Sequence, residues 1–296
     1  MITRTRAFKP DVAQLVTNEL IASLERGIIP WKKPWREELP RNITGRQYHG
    51  VNLLLLSLSE YTSPFYLTFR QANDLGGKVK AGSTGFRVIY WRVLEHLSPE
   101  GEITTIPLLR YYTIFNLEQT IGIPEERLPK LDAQHIDPIR ECEQIWADMP
   151  NKPALVNANE AYYERTSDTI GVPPVERFDS AAEWYATLWH EAVHSTGHPK
   201  RLNRDNHYGE LGYREAYGNE ELIAEIGSSF LCSYSGINPL VIENQASYIS
   251  YWITRLKGDK RLIIGASAAA QKAVDYITHL SGEINYNECT WKGDWY

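Results

Sequence analysis

The sequence predicts an α+β protein with two domains, and three observations support this. The first half interleaves helical apolar stripes with segments that alternate like strands, whereas the second half is mostly helical. The charge is unevenly divided: residues 1–96 carry 14 Lys and Arg against 8 Asp and Glu, and the remaining residues carry 17 against 29. A charged, Pro-containing stretch at residues 121–134 separates the halves. We therefore expect one domain over residues 1–130 and a second over residues 131–296.

The first half is predicted to mix helices, turns and a pair of antiparallel strands. Its opening helix has apolar residues at helical spacing and ends at Gly27. In order, the predicted elements are a helix at 8–26, an irregular arm at 28–36, a basic loop at 40–50, a short helix at 51–60, a strand or helix start at 65–70, a basic turn at 75–82, and strands at 86–94 and 103–115 joined by a turn at 98–101.

The second half is predicted to be built around one helix that carries the chemistry. Short strands precede this helix and further helices follow it; residues 283–296 carry no motif that we can place. In order, the predicted elements are a helix at 137–148, strands at 154–158 and 161–165, a turn at 170–175, the central helix at 181–196, a polar loop at 198–218, a helix ending near residue 235, and packing helices at 244–257 and 260–280.

The composition is that of an ordinary globular protein, with 43% hydrophobic and 23% charged residues. No apolar run approaches the roughly 18 residues of a membrane span, and the first six residues lead into no apolar signal core. We therefore expect a cytoplasmic protein with no membrane partner. The three Cys, at positions 142, 232 and 289, fit neither a disulfide framework nor a zinc knuckle, so we expect buried or idle thiols.

The run that begins at His190 and ends at His194 reads His-Glu-x-x-His. On a helix, these two His lie four residues apart on one face, so both imidazoles can bind one metal ion. Glu191 flanks that position, where it can take a proton from an attacking water. Ser180 and Glu183 form a capping box for the helix. The pattern predicts a zinc-dependent hydrolase, and a surface helix that happens to carry two His is the alternative.

A catalytic zinc ion needs a third protein ligand. Lys200 stands where the metzincin pattern requires a His, and this excludes that class because an ammonium group cannot bind the metal. His198 lies one helical turn beyond His194 but directly before a Pro, where the helix is expected to have ended. The remaining candidates are Glu221 and Glu225, which share one face of the next predicted helix.

The spacing of these two acids resembles that of the gluzincin peptidases. In that family, the first acid of Glu-x-x-x-Asp/Glu binds the metal and the second holds a ligating His from behind. The resemblance implies that Glu221 is the ligand and that Glu225 supports a His. The reverse assignment, and a surface role for both acids, remain open.

Aromatic side chains stand among cations in the first half, as a site for single-stranded nucleic acid requires. Bases stack on Trp or Tyr, while Lys and Arg contact the phosphates. We therefore predict single-stranded DNA as a partner. The predicted binding residues are Trp31, Lys32, Lys33, Trp35, Arg36, Arg41, Arg46, Lys78, Lys80 and Arg87, and Tyr48, Tyr66, Trp91 and Arg92 belong to the same inventory. Core aromatics beneath a solvated basic face are the alternative.

Five segments of the first half occur in a specific order: Pro30–Trp35, Tyr48–Leu54, Leu67–Ala72, Gly76–Gly82 and Tyr111–Thr120. In that order they resemble the N-terminal domain of the ArdC antirestriction proteins, which conjugative plasmids carry and whose N-terminal domain plasmid TraC primases share. The second half resembles the zincin-type metallopeptidase domain of the same family, through the segments His190–His194, Arg201–Arg204 and Glu220–Glu225. The resemblance implies binding of single-stranded DNA and protection of incoming plasmid DNA from host restriction.

The predicted cofactor is Zn2+, held by His190, His194 and Glu221, with Glu191 as the general base that promotes cleavage of a peptide bond. A protein of a restriction system is a candidate substrate. Two hypotheses follow. In the first, an active metallopeptidase is delivered to its target by the DNA-binding domain. In the second, the protein coats single-stranded DNA and its metal site is structural or rarely used. The two differ in whether Glu191 matters.

Overall fold

Helices and strands occur in both halves of the chain, confirming the predicted α+β class. The computed structural model describes residues 11–32, 39–97, 103–129, 137–204, 213–238 and 245–279. None of the helices within these ranges is long and apolar enough to cross a membrane.

The first helix, α1 (Val12–Glu25), begins at Asp11, whose carboxylate accepts hydrogen bonds from the backbone N–H groups of Ala13 and Gln14. It ends as predicted at Gly27, which has a φ of +79°. Two short helices follow in the first half, α2 (Val51–Ser57) and α3 (Phe69–Asp74). The apolar face of α1 is buried in the core, as its periodicity predicts.

A four-stranded sheet in the order β1-β2-β5-β4 forms the centre of the first half. The strands are β1 (Arg41–Asn42), β2 (Phe65–Leu67), β4 (Phe86–Leu97) and β5 (Ile103–Asn116), and a separate pair joins β3 (Lys78–Val79) to β6 (Thr120–Ile121). The predicted antiparallel hairpin is present, with Phe86 opposite Ile114 and Leu97 opposite Ile103. Asn52 of α2 ties β4 to the helices, because its amide accepts from the Ile89 N–H at 2.7 Å and donates to the Ile89 carbonyl at 2.8 Å.

The second half opens with α4 (Pro138–Asp148) and a three-stranded sheet in the order β7-β9-β8. These strands are β7 (Ala154–Asn157), β8 (Tyr162–Glu164) and β9 (Thr169–Val172). The turn predicted at residues 170–175 is therefore wrong over residues 170–172, which lie in the central strand. Gly171 favours a turn by composition, but here it gives the Tyr162 ring room: a Cβ at this position would lie 2.4 Å from a ring carbon.

Four longer helices complete the fold: α5 (Ala181–Ser195), α6 (Tyr213–Ser235), α7 (Gln245–Gly258) and α8 (Leu262–Ile277). The Ser180 hydroxyl caps α5 by accepting from the Glu183 N–H at 3.2 Å. Helix α6 begins at Tyr213, so the last part of the loop predicted at residues 198–218 is helical. Cys142 and Cys232 are buried free thiols, and Cys289 lies outside the described residues.

One hydrophobic core joins the two halves of the chain. It includes buried residues from α1, α2, α4, α5, α6, α7 and α8. Trp31 is fully buried in it; its ring lies edge-on to Trp252, with centroids 6.0 Å apart, and its indole N–H donates to the Tyr248 hydroxyl at 2.8 Å. The two regions thus share an interior, whereas the boundary predicted at residues 130/131 stays a prediction, since it lies outside the described ranges.

Helices α5 and α6 cross at a point where small side chains let the backbones approach closely. Ala192 of α5 and Ala224 of α6 are small, fully buried residues of these two helices. A Cβ added to Gly227 would lie 2.8 and 2.9 Å from the two methyl groups of Val193. A β-branched side chain on a helix has one strongly preferred rotamer, so Val193 cannot easily move aside. The spacing of the two helices therefore depends on the missing side chain at Gly227.

Gly227→Ala is expected to destabilise the protein even though alanine is the better helix former. The gain in helix propensity is about 1 kcal/mol, whereas overpacking a tight core typically costs about 1–3 kcal/mol. The matched control is Gly265→Ala on α8, where an added Cβ meets nothing within 4 Å; that change is expected to stabilise. Urea unfolding midpoints measure both variants, and a more stable Gly227→Ala protein would contradict the tight crossing.

Candidate metal centre and nucleic-acid interface

Helix α5 places two imidazoles side by side. His190 and His194 are one helical turn apart, and their Nε2 atoms lie 3.2 Å from each other. The rings meet edge to face, with an interplanar angle of 81°. Both side chains are mostly buried, with relative exposures of 19% and 15%. The predicted pair is thus directed at one point on the protein surface.

Glu221 of α6 brings a carboxylate to the same point. Its oxygens lie 3.6 Å from His190 Nε2 and 3.5 Å from His194 Nε2. A tetrahedral zinc ion with bonds of about 2.0–2.1 Å separates its ligand atoms by about 3.3 Å. The spacing of the three groups therefore fits a tetrahedral metal centre with one open position. Within the described part of the chain, His190, His194 and Glu221 form the one cluster suited to holding a metal ion.

Glu220, which sequence reasoning missed, supports the cluster from behind. Its carboxylate lies 3.5 Å from the Nδ1 atom of His194, the ring nitrogen that faces away from the cluster. Burial alone would raise the pKa of Glu220, but hydrogen bonding to His194 and the charge of Arg204 outweigh it and lower the pKa. An ionised carboxylate in this position orients the imidazole and makes it a better metal ligand.

Arg204 fixes Glu220 to the end of α5. Its guanidinium contacts both carboxylate oxygens, with Nη2 2.5 Å from Oε1 and Nε 3.3 Å from Oε2. The same guanidinium donates to the Val193 carbonyl at 2.9 Å and to the Thr196 hydroxyl. Arg204 belongs to the Arg201–Arg204 segment that carried the family resemblance. The sequence therefore singled out this segment but did not indicate that Arg204 binds Glu220.

The expectation that Glu225 supports a ligating His is corrected by the structure. Glu225 forms an ion pair with Lys32, and both side chains are about 15% exposed or less. Hydrogen bonding also links Glu225 to the Tyr248 hydroxyl. One turn of α6 carries Glu225 past the cluster and towards the N-terminal segment, so Glu220 rather than Glu225 takes the place beside His194.

The predicted general base, Glu191, lies on α5 next to the first His and is 8% exposed. Burial raises its pKa, and the neighbouring His190 and His194 oppose that effect. Tyr217 lies one turn before Glu221 on α6, and its hydroxyl is hydrogen-bonded to the Glu221 carboxylate. Tyr217 is 52% exposed, so part of it is accessible to solvent beside the cluster.

His198, the other candidate ligand, lies outside the cluster. Its Nδ1 atom accepts from the Lys200 N–H at 3.1 Å and lies 3.9 Å from an oxygen of Asp168. Arg201 also pairs with Asp168, and it donates to the carbonyls of Ser195 and Asn151, both at 2.7 Å, and to the Tyr163 hydroxyl of β8 at 3.1 Å. These contacts tie the end of α5 to the three-stranded sheet.

The predicted DNA-binding residues are distributed unevenly. The assignment of Trp31 to DNA binding is wrong, because a fully buried indole cannot stack on a base. The assignment of Lys32 to DNA binding is wrong as well, because its side chain is 14% exposed and pairs with Glu225. Arg41 is half-buried, and Lys33, Trp35 and Arg36 lie outside the described residues. The exposed cations are Arg46, Lys78, Lys80 and Arg87. Lys80 donates to the Glu118 carbonyl and Arg87 lies 3.6 Å from Glu19, so neither is committed to a buried partner.

Glu220→Gln is expected to weaken binding of a divalent metal by about 10- to 100-fold, the usual effect of losing a group that orients a ligand. The amide keeps the size of the side chain but loses the charge that pairs with Arg204. Glu225→Gln is the matched control on the same helix and should change the affinity by less than about threefold. Competition against a chromogenic chelator measures both. Equal losses in the two variants would contradict the assignment of Glu220.

Comparison with known proteins divides the chain into two matched regions. Residues 10–115 match the family described as the N-terminal domain of anti-restriction factor ArdC. Residues 141–270, which contain every member of the cluster, match the family described as zincin-like metallopeptidases.

Curated relatives match over both regions. A DNA primase TraC of Escherichia coli is 30% identical across 91% of this chain, so the likeness is not confined to the N-terminal region. The chain spans only 27% of that primase. An uncharacterised protein of Sinorhizobium fredii, y4eC, is 28% identical and matches across 96% of this chain and 97% of its own length.

Two crystal structures of the antirestriction protein ArdC from plasmid R388 have the same fold. The metal-free form is 37% identical over 93% of this chain and all of its own, with a TM-score of 0.76. The form described as Mn(II)-bound is 36% identical, with the same coverage and a TM-score of 0.75. This likeness covers both regions at once. The chain belongs to the ArdC antirestriction family.

Proposed function

We propose that the protein protects incoming plasmid DNA from restriction by binding it as a single strand, and that its second region is a zinc-dependent peptidase. The observation that carries the peptidase is the cluster of His190, His194 and Glu221, whose separations of 3.2–3.6 Å match a tetrahedral centre. The family membership supports the antirestriction role. The Mn(II)-bound relative supports a divalent metal, and the donor set of two imidazoles and one carboxylate favours zinc.

The residues of this chain would divide the work of hydrolysis among them. His190, His194 and Glu221 would hold the metal, which when bound acts as a Lewis acid and makes water a stronger acid. Glu191 takes the proton of the attacking water and returns it to the leaving amine. Its buried, partly desolvated carboxyl suits both steps, because a raised pKa makes it a better proton acceptor near neutrality.

Among the described residues, Tyr217 is well placed to stabilise the developing oxyanion. Its hydroxyl already contacts the Glu221 carboxylate, and its ring lies half exposed at the mouth of the cluster. A donor on this side can turn from the carboxylate to a substrate oxygen without moving the helix. A protein substrate would lie in extended form along β8, an edge strand that the Arg201 contacts hold near α5.

A second candidate function is a coat on single-stranded DNA that needs no proteolysis. It is favoured by the exposed cations Arg46, Lys78 and Lys80, all of which lie in the first region. Base stacking and phosphate contacts alone can shield a strand from an enzyme. A restriction-system protein is the substrate class only under the first candidate.

Glu191→Gln separates these two functions. Because Glu191 is not a metal ligand, metal content and DNA binding should stay at wild-type levels, whereas chelator-sensitive proteolysis should fall by at least about 100-fold. The decisive measurement is plasmid transfer into a restricting host. Full protection by this variant would show that coating is sufficient. Lost protection with normal DNA binding would identify the peptidase as the effector. His194→Ala, which should lose the metal, is the control for the site as a whole.

Tyr217→Phe is expected to lower kcat by about 100- to 1000-fold with little change in KM, the usual effect of removing an oxyanion donor. Metal affinity should change by less than about threefold, since the phenyl ring keeps the helix surface intact and only one hydrogen bond to Glu221 is lost. Tyr251→Phe, an exposed Tyr on α7, is the matched control. A Tyr217→Phe enzyme that loses metal but keeps its kcat when saturated with zinc would assign this residue to ligand support instead.

A further inference from the structure

The burial of Trp31 leaves open which aromatic surface a single strand would use. Three aromatic side chains are strongly exposed in the described part of the first region: Phe69, Trp91 and Tyr111. Trp91 is 50% exposed and Tyr111 is 39% exposed. Both lie on the β4–β5 hairpin, whereas Phe69 lies on the short helix α3.

The hairpin register places Trp91 and Tyr111 on one face. Ile89 lies directly opposite Tyr111, and Trp91 lies directly opposite Leu109. Residues opposite each other in an antiparallel pair point to the same side, so these four side chains form a two-by-two block. Trp91 and Tyr111 occupy one diagonal of this block, at a spacing of about 7–8 Å, within which large aromatic rings can serve neighbouring bases.

Core packing and hydrogen bonds hold one corner of this block in place. Ile89, at its inner corner, is 7% exposed and packs into the shared core. The Asn52 side chain binds both backbone groups of Ile89, at 2.7 and 2.8 Å. Asn52 belongs to the Tyr48–Leu54 segment, so a segment that carried the family resemblance holds this strand in place. A pre-ordered platform loses little conformational entropy when a partner binds.

The charges on this part of the hairpin have one sign. Residues 86–92 and 108–116 contain Arg87, Arg92 and Arg110 and no Asp or Glu. Arg87 shares the face of Trp91 and forms a partly exposed ion pair with Glu19 at 3.6 Å, whereas Arg92 and Arg110 alternate to the opposite face of the hairpin. A polyanion therefore suits this part of the hairpin.

We propose that the Trp91–Tyr111 face of the β4–β5 hairpin is the surface on which bases of single-stranded DNA stack, with Arg87, on the same face, contacting its phosphates. The proposal rests on the proposed single-strand binding and gives it a location. Single-stranded rather than duplex DNA is the partner, because only unpaired bases offer their faces to aromatic side chains. A second copy of the chain is disfavoured as the occupant, because pairing two such faces would bring like charges together.

The test uses the full chain and a fluorescently labelled oligothymidylate, with anisotropy recorded over a series of salt concentrations. Trp91→Ala and Tyr111→Ala should each weaken binding by about 5- to 100-fold and leave the salt dependence unchanged. Arg87→Gln should reduce the slope of log K against log salt by about 0.7, whereas Arg92→Gln, on the opposite face, should change it less. Trp91→Phe, which keeps a stacking face, should bind more tightly than Trp91→Ala. Tyr162→Ala, an exposed aromatic on β8, should bind as wild type does.

The outcomes separate this proposal from the proposed function. Wild-type binding by Trp91→Ala and Tyr111→Ala would overturn the location, while single-strand binding by the parent protein would stand. A parent protein that binds only duplex, or no DNA, would overturn both. Sedimentation velocity provides the remaining arm: if Trp91→Ala dissociates a dimer without changing DNA affinity, the face is a self-association surface and the proposal is wrong. Melting temperatures within a few degrees of the parent show that each variant is folded.

Discussion

The close approach of α5 and α6 is the constraint on which the rest of the site depends. One helix supplies both imidazoles and the other supplies Glu221, so the separations of 3.2–3.6 Å exist only if the two backbones come close. Gly227 makes this possible by offering no side chain against Val193 of the neighbouring helix. The separations of the three metal-binding side chains thus depend on a small residue that is not itself a ligand.

Much of the site could be predicted from the sequence because helix geometry fixes it locally. Residues four apart share a face, so the convergence of His190 and His194 follows from spacing alone. The same rule could not distinguish Glu220 from Glu225, since periodicity tells which residues share a face of a helix but not which face meets the neighbouring helix. That rotation is set by tertiary packing, and by Arg204, which reaches Glu220 from a segment outside both helices.

In the first region, the secondary structure was more predictable than the burial of the aromatic side chains. Most of its strands and helices follow their patterns, and the β4–β5 hairpin was predictable from alternation, but the short strands β1 and β3 lie where a basic loop and a basic turn were predicted. Composition could not tell a buried aromatic from an exposed one, because a tryptophan beside lysines suits both a core anchor and a stacking platform. Trp31 stands in a Pro-rich stretch that suggests an exposed arm, yet Tyr248 and Trp252 of a helix more than 200 residues later enclose it. Long-range partners of this kind leave no local signal.

The shared core has a consequence for how the two regions could cooperate. Proteins that join a binding module to a catalytic one often use a flexible tether, which lets the catalytic part sweep a volume around the bound target. Here the buried Trp31 and the Lys32–Glu225 ion pair join the N-terminal segment directly to α6 and α7. The connection between the two regions is therefore rigid and not a flexible tether. A strand held by the first region would sit at one set distance and angle from the metal cluster, so only proteins bound to DNA at that offset would come within reach.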